Sequence, residues 1–346
     1  MVSSVIISFV VFCTIAGIST GRFGIKRPFL FGFIIHITGL VSMYFVPSFF
    51  ITAIVLFMIT AGFAFFEVGA NALASRIFIK NTAMLLNILH AFFGIGAFAA
   101  PIMAGLIVNA GIDWRMIYVL SIPLVIVLLI IAVIAKFPED KENPQVQDVD
   151  KRKTFIDALK EPMVWMLAIC LGFSSTIENT HANWGTMYFR DIYGIDLSTT
   201  GAAFLSAFFV SFTISRLLSG FVIERLGYMR SLVGMAVIVF FGFACLILLG
   251  ARGIFLLPVL GFFIGPLWPT VMAVAIRCFG KDAPVMCSAV IAGGGTLNAM
   301  VQYMIGLTNS FFGPAWGYRS SLLYILIFII MLIILGKKLK SKERVV

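Results

Sequence analysis

Charge is what this chain has least of. Only 12% of its 346 residues are Asp, Glu, Lys or Arg, about half the 25% or so found in soluble domains. A water-facing surface cannot be built from so few charges. Acid is scarcer than base, with 15 Asp and Glu against 25 Lys and Arg. Histidine occurs three times and cysteine five. The cysteines (Cys13, Cys170, Cys245, Cys278, Cys287) are scattered, mostly in apolar runs, with no C-x-x-C pair. They read as packed thiols, not as a disulfide framework or metal site. No His-rich metal set and no nucleophile motif is present. The Gly293–Gly295 run lies inside an apolar segment without a following Lys-Ser or Lys-Thr, so it is no phosphate cradle. An enzyme is therefore not expected, nor is a metal or organic cofactor. Residues 1–20 lack a basic n-region and a small-residue cleavage site, so they predict a spanning helix rather than a signal peptide.

What is abundant is apolar sequence: 61% of residues, with a mean hydropathy of +1.08. Runs of about 20 apolar residues, each long enough to cross a bilayer core of about 30 Å, fill almost the whole chain. The fold class is all-α and polytopic. Eleven helices are predicted, over residues 2–20, 28–47, 49–78, 83–109, 114–135, 162–190, 198–222, 228–249, 252–277, 284–309 and 314–338. The one long polar segment, 136–161, contains KFPEDKENPQVQDVDKRK and reads as a solvated linker with a short surface helix at its end. It separates a bundle of five helices (1–135) from one of six (162–338), followed by a basic tail (339–346).

Alternate connections carry the positive charge. Residues 20–28, 76–83, 136–161, 216–230, 277–284 and the tail from Lys337 hold 21 of the 25 Lys and Arg, leaving Arg115, Arg190, Arg252 and Arg319 on the other side. This positive-inside pattern predicts a cytoplasmic linker and C-terminus in a cell membrane. The +10 net charge is then accounted for by topology and anionic inner-leaflet lipid, and no nucleic-acid partner is needed. The expected partners are the bilayer and a small-molecule solute, with the protein a monomer.

Two stretches about two hundred residues apart resemble each other. Gly17-Ile-Ser-Thr-Gly-Arg22-Phe-Gly24-Ile-Lys-Arg27 aligns with Gly220-Phe-Val-Ile-Glu224-Arg225-Leu-Gly227-Tyr-Met-Arg230, and Gly62 with Gly265, Phe78 with Phe279, Gly94 with Gly295 and Trp114 with Trp316 keep nearly the same offset. Both copies resemble G-x-x-x-D-R-x-G-R-R, the gating-loop signature of the major facilitator superfamily. That resemblance implies two pseudo-symmetric bundles, 6+6 helices in the family, related by an axis normal to the membrane. In the family the acidic residue interacts with a neighbouring helix end. Here the first copy has Gly21 at that position and the second keeps Glu224.

An odd number of helices with a cytoplasmic C-terminus places Met1 outside, and the repeat offset projects residues 162–190 to about −40 to −12. The expectation is that one further helix belongs before Met1. A misplaced start codon or truncated gene explains this better than a true eleven-helix variant. A non-functional truncated transporter is one alternative that follows.

Residues 62–74 place Glu67 and Asn71 four apart, on one helix face. A carboxylate inside a membrane is costly and faces a cavity or partner, so it is a functional candidate by default. Glu67-Val-Gly-Ala-Asn71-Ala72, then Leu86-Asn87-Ile-Leu-His90-Ala-Phe-Phe-Gly94, together with Trp268-Pro269-Thr270 and Gly293-Gly294-Gly295, resemble the fucose permease branch of sugar/proton symporters. There the pattern is Glu-x-x-Ala-Asn-Pro followed by Leu-Asn-x-x-Gln-x-x-x-x-Gly. Ala72 replaces the proline and His90 the glutamine. The resemblance implies sugar binding and proton coupling at Glu67, with Asn71, Asn87 and His90 beside it and a proton as the coupling ion.

The second half opens on a polar cluster, Ser174 to Trp184, in which Glu178 and His181 are i,i+3 and Asn179 and Asn183 i,i+4. Amides and an aromatic plate suit sugar hydroxyls and the apolar face of a pyranose ring. Glu178, Asn179, Asn183, Trp184, Trp268, Asn298 and Gln302 are the expected lining residues. The alternative for the 174–184 cluster is a helix turning polar as it leaves the bilayer; for Asn298 and Gln302 it is interhelical hydrogen bonding. His36, alone in an apolar helix, reads as structural. The rival functions are drug or metabolite efflux, which favours a more apolar cavity, and a membrane receptor, for which the polar tails are too short.

Overall fold

The computed structural model describes residues 2–138, 153–196 and 200–343, and helix is its only regular structure. A chain in lipid must satisfy its backbone internally, which a helix does within one segment. The helices are α1 (Val2–Phe23), α2 (Lys26–Tyr44), α3 (Phe49–Ile77), α4 (Thr82–Asn109), α5 (Met116–Ile134), the short α6 (Phe155–Lys160), α7 (Pro162–Asn179), α8 (Gly185–Tyr193), α9 (Ala202–Leu226), α10 (Tyr228–Leu248), α11 (Leu257–Ile264), α12 (Leu267–Phe279), α13 (Ala283–Phe312), α14 (Pro314–Arg319) and α15 (Ser321–Glu343). Eight segments among the described residues are long and apolar enough to cross a membrane. One of them, Gly250–Phe312, has 63 residues and would extend about 95 Å if straight, three times the bilayer core. It is broken at Gly265-Pro266 and again by a 3-10 turn at Gly280–Asp282.

Most of the expected linker, residues 139–152, lies outside the described residues. Its end does form the expected surface helix, α6. Thr154 and Asp157 close a capping box there, the Thr154 hydroxyl accepting from the Asp157 N–H and the Asp157 carboxylate accepting from the Thr154 N–H. These hydrogen bonds hold the Asp157 carboxyl below the usual range. The cap is therefore intact at neutral pH and is lost as pH falls through that lowered value.

Four expectations are corrected. The predicted helix 252–277 is not continuous, because Pro266 and Pro269 both lack the N–H that an α-helical ladder requires. Residues 162–190 are helical throughout, but Thr180–Trp184 forms a wider π turn, in which the Gly185 N–H reaches back to the Thr180 carbonyl. The last helix runs on to Glu343, beyond the predicted end at 338. Arg216 was counted with a loop, yet it sits inside α9 and is 2% exposed. Removing it from the charge count leaves 20 of 25 on that side, and Arg22, Arg27, Arg225 and Arg230 are all exposed there.

The chain forms two compact units. The first comprises residues 1–79, 100–165 and 275–295. In it α1 and α2 pack on α3, and α2 on α5. Met43, Val46 and Val55 form a buried core with Leu56, Ile59 and Tyr118 against it. The second comprises residues 80–99, 166–274 and 296–346. There α9 packs on α11, and α10 on α15 and α11.

The two copies of the loop motif have the same backbone logic. Gly24 (φ +79°) ends α1 and Gly227 (φ +89°) ends α9, a region that only glycine occupies without strain. The leading glycines permit close approach. A Cβ on Gly17 would strike the Ser288 side chain, and one on Gly220 would lie 2.6 Å from Met84 Cα. Gly24→Ala and Gly227→Ala are each expected to destabilise by about 1 kcal/mol. Gly96→Ala, where a Cβ meets open space, should be neutral or slightly stabilising. Thermal melting of the detergent-solubilised protein reads both outcomes.

Candidate functional site

The densest polar constellation in the second unit is organised by Arg216. Its origin is the break between α11 and α12. In an unbroken helix the N–H of residue 269 would donate to the carbonyl of Gly265, but residue 269 is proline. That carbonyl must find another donor or remain unsatisfied in an apolar interior. Arg216 Nε supplies it, 2.7 Å away. Nη1 of the same guanidinium donates to the His90 carbonyl on α4 at 2.8 Å. Nη2 pairs with the Glu178 carboxylate on α7 at 3.5 Å, the two side chains being 3% and 16% exposed. Its carbon lies 4.0 Å from the centre of the Phe212 ring. One planar fork thus ties together α4, α7, α9 and the α11–α12 break, a task suited to arginine and not to lysine.

Two rings stand over the backbone that Arg216 grips. His90 and Trp268 face each other with centroids 4.5 Å apart at 56°. His90 Nε2 is buried without a hydrogen-bond partner. Asn87, fully buried, donates to the Ala83 carbonyl and to Thr270 Oγ1, while its Oδ1 has no partner. Thr270 in turn donates to the Pro266 carbonyl, the other side of the break. Asn87, His90, Trp268 and Glu178, expected from sequence, therefore converge with Arg216 and Thr270, which were not.

A second network joins the π turn to α13. Trp184 Nε1 donates to Gln302 Oε1 at 2.8 Å, and the Gln302 amide donates to the Thr176 carbonyl and Thr180 hydroxyl. Thr176 also donates to Asn298 Oδ1 at 3.3 Å. Asn179 is half-buried and Asn183 exposed. His181 is fully enclosed, its Nδ1 on the Ile177 carbonyl and its ring between Phe243 and Tyr318; it serves packing.

Glu67 and Asn71 belong to the first unit. Asn71 donates to the Glu67 carboxylate at 2.9 Å and to its carbonyl at 2.8 Å, across the i,i+4 spacing that sets them on one helix face. His36 is structural as expected, with Nδ1 on the Ile59 carbonyl and its ring against Phe66. A surface depression of about 330 Å³ bordered by Tyr44, Val46, Asp113 and Arg115 contains none of the expected residues.

The second loop motif makes a latch. Glu224 accepts from the backbone N–H of Ala83 at 2.8 Å and from the Tyr228 hydroxyl at 2.7 Å. The carboxylate thereby caps the N-terminus of α4, where the helix dipole favours negative charge. The first copy cannot do the same. Its acidic position is Gly21, whose Cβ would point at Val285 at the start of α13. The residue matching Ala83 in the repeat is Pro284, which has no N–H to offer. The acid and the nearer of its two backbone donors are missing together; the second donor, Met84 N–H at 3.4 Å in the latch, has Val285 as its counterpart.

Residues 1–301 match the Major Facilitator Superfamily profile. Among solved structures, the E. coli fucose:proton symporter FucP superposes with a TM-score of 0.78 at 18% identity, covering 96% of this chain and 89% of that one. The proton:xylose symporter XylE, bound to 6-bromo-6-deoxy-D-glucose, gives 0.76 at 13% identity, covering 97% and 84%. The human organic anion transporter MFSD10 gives 0.75 at 11%, covering 95% and 82%. No curated protein matches in sequence.

Proposed function

Since the chain belongs to the major facilitator superfamily, an all-α family of multi-pass membrane transporters and not of enzymes, we propose that it carries a sugar together with a proton by alternating access. The observation that carries this reading is the convergence of Asn87, His90, Trp268, Thr270 and Glu178 around one buried arginine. A hydroxylated ring needs acceptors and donors at fixed positions and an aromatic plate for its apolar face. Asn87 Oδ1 and His90 Nε2 are buried polar atoms with capacity to spare, and Trp268 supplies the plate. Trp184, Gln302 and Asn298 extend the polar wall, with Asn179 and Asn183 beyond them. FucP and XylE, symporters of sugars with protons by name, share the fold and are compatible with this assignment.

In this reading the linker 136–161 divides two pseudo-symmetric bundles, the linker and C-terminus are cytoplasmic, and the protein works as a monomer in the cell membrane. The Glu224 latch holds the cytoplasmic ends in one state of the cycle. Glu67, with Asn71, takes up the coupling proton. Glu67→Gln, which mimics the protonated acid, should keep sugar exchange between the two sides while abolishing accumulation driven by a pH gradient. Labelled fucose, galactose and glucose uptake into proteoliposomes, set beside extrusion of a cationic dye, tests the assignment. Gradient-driven entry of a sugar supports it; dye extrusion without sugar uptake points to an efflux protein.

A further inference from the structure

Glu67 is not the only carboxylate within the spanning helices. Glu178 lies on α7, and the charged side chain that faces it among the described residues is Arg216 of α9. From α4, His90 meets the same guanidinium through its carbonyl. On the chain's own continuation His181 turns away, to Phe243 and Tyr318. An ion pair removed from water gains little stability over an apolar pair of the same volume, and intramembrane charges mark proton and substrate paths. This pair is also wired to something. The two other arms of Arg216 grip the backbone at His90 and at Gly265. His90 is one of the two facing rings, and Gly265 begins the break that aims Trp268, the other.

We infer that Glu178 is a second proton-carrying carboxylate and that Arg216 transmits its charge state to the spacing of the His90 and Trp268 rings. With Glu178 ionised, the guanidinium is shared between a carboxylate and two carbonyls. When a proton from the aqueous side binds a Glu178 oxygen, forming an O–H bond and leaving a neutral acid, the carboxylate's pull on the guanidinium falls away. Both carbonyls are then held more firmly, and the ring pair is set for the solute. Loss of the proton to the opposite side reverses this and loosens the site. Solute and proton are thereby bound together and released together. Arg216 acts here as a positioning residue, reaching the solute through the two rings.

The inference rests on the sugar-transport reading for its solute readout, so the test has one readout that needs no sugar. Infrared difference spectra of the purified protein, acid minus alkaline pH, should show a protonated carboxyl band that Glu178→Gln removes and Glu67→Gln leaves. Binding of labelled fucose, galactose and glucose by equilibrium dialysis should tighten as pH falls, by up to about tenfold per unit where one proton is linked. Glu178→Gln should lose the share of the pH dependence that belongs to Glu178, binding more tightly than the parent on the alkaline side and leaving the Glu67 share in place. Arg216→Lys, which keeps the charge but cannot fork to two carbonyls, should weaken binding and flatten its pH dependence while the infrared band persists. If the band survives in Glu178→Gln, or the variant's affinity keeps the parent's pH dependence, the inference is overturned. If the Glu178 band behaves as expected and none of the three sugars binds the parent, the sugar assignment fails while Glu178 stands as a proton carrier.

Discussion

Arg216→Leu is expected to be the most damaging single substitution in the second unit. It leaves the Gly265 carbonyl without its donor, removes an added bond from the His90 carbonyl, and leaves Glu178 without its counter-charge. Removing one partner of a buried ion pair costs about 3–5 kcal/mol, a large share of a typical stability of 5–15 kcal/mol. The expected result is little folded protein in detergent and no transport. The double substitution Arg216→Leu, Glu178→Leu removes the stranded charge and should recover much of the folded yield, because an apolar pair of similar volume is tolerated where a lone charge is not. It should not recover transport. A second background isolates the other arm. Pro269→Ala restores an N–H that can reach the Gly265 carbonyl along the helix, so Arg216→Leu should cost less stability in Pro269→Ala than in the parent. Size-exclusion yield and thermal melting read both comparisons; equal losses in the two backgrounds would mean the break does not depend on Arg216.

Trp268→Ala is expected to have the largest effect on solute handling. The indole faces His90 at 4.5 Å and is half-buried, so its removal takes away the plate proposed for the apolar face of a sugar ring. Aromatic contacts contribute about 0.5–1.5 kcal/mol beyond area burial, and the lost apolar contact adds about 1.5–3 kcal/mol. Together these correspond to a loss of roughly 30- to 2000-fold in affinity. Trp268→Phe should retain most of the binding. Affinities for the three labelled sugars in both variants check the contrast; equal affinities for alanine and tryptophan at 268 would remove the indole from the site.

Much of this was legible in the sequence. The helices follow from apolar runs, and the loop glycines at 24 and 227 announced turns that need positive φ. Glu178 could be named because polar residues are conspicuous in an apolar helix; Asn87, His90 and Trp268 were singled out by the resemblance to the fucose permease branch. Arg216 could not be placed by the same means. Counting positive charges near helix ends assigns every nearby arginine to a loop, and Arg216 lies close enough to the Arg225–Arg230 turn to be absorbed by that count. A signal was present: Phe212, Arg216 and Gly220 stand at i,i+4 intervals on one face of a helix that continues to Leu226. A second was Pro269, which removes the donor for Gly265 and so demands a replacement from elsewhere in the fold. The π turn at Thr180–Trp184 had no compositional sign, because the hydrogen bonds that accompany it come from Gln302, more than a hundred residues away. The missing latch in the first loop was half visible: Gly21 showed the lost acid, but Pro284 could be read as a lost donor only once the structure showed the Ala83 N–H to be the partner of Glu224.

The claim at the centre of this account is that a sugar and a proton move together through this protein. Proteoliposomes in lightly buffered medium with a pH-sensitive dye outside, without any imposed gradient, test it directly. Adding galactose, fucose or glucose should make the outer medium more alkaline, as protons enter with the sugar, and an uncoupler should erase the change. Glu178→Gln should give a smaller alkalinisation per sugar taken in, because only the Glu67 proton then enters with it. Sugar entry with no alkalinisation in the parent, or alkalinisation unchanged in Glu178→Gln, would contradict the account.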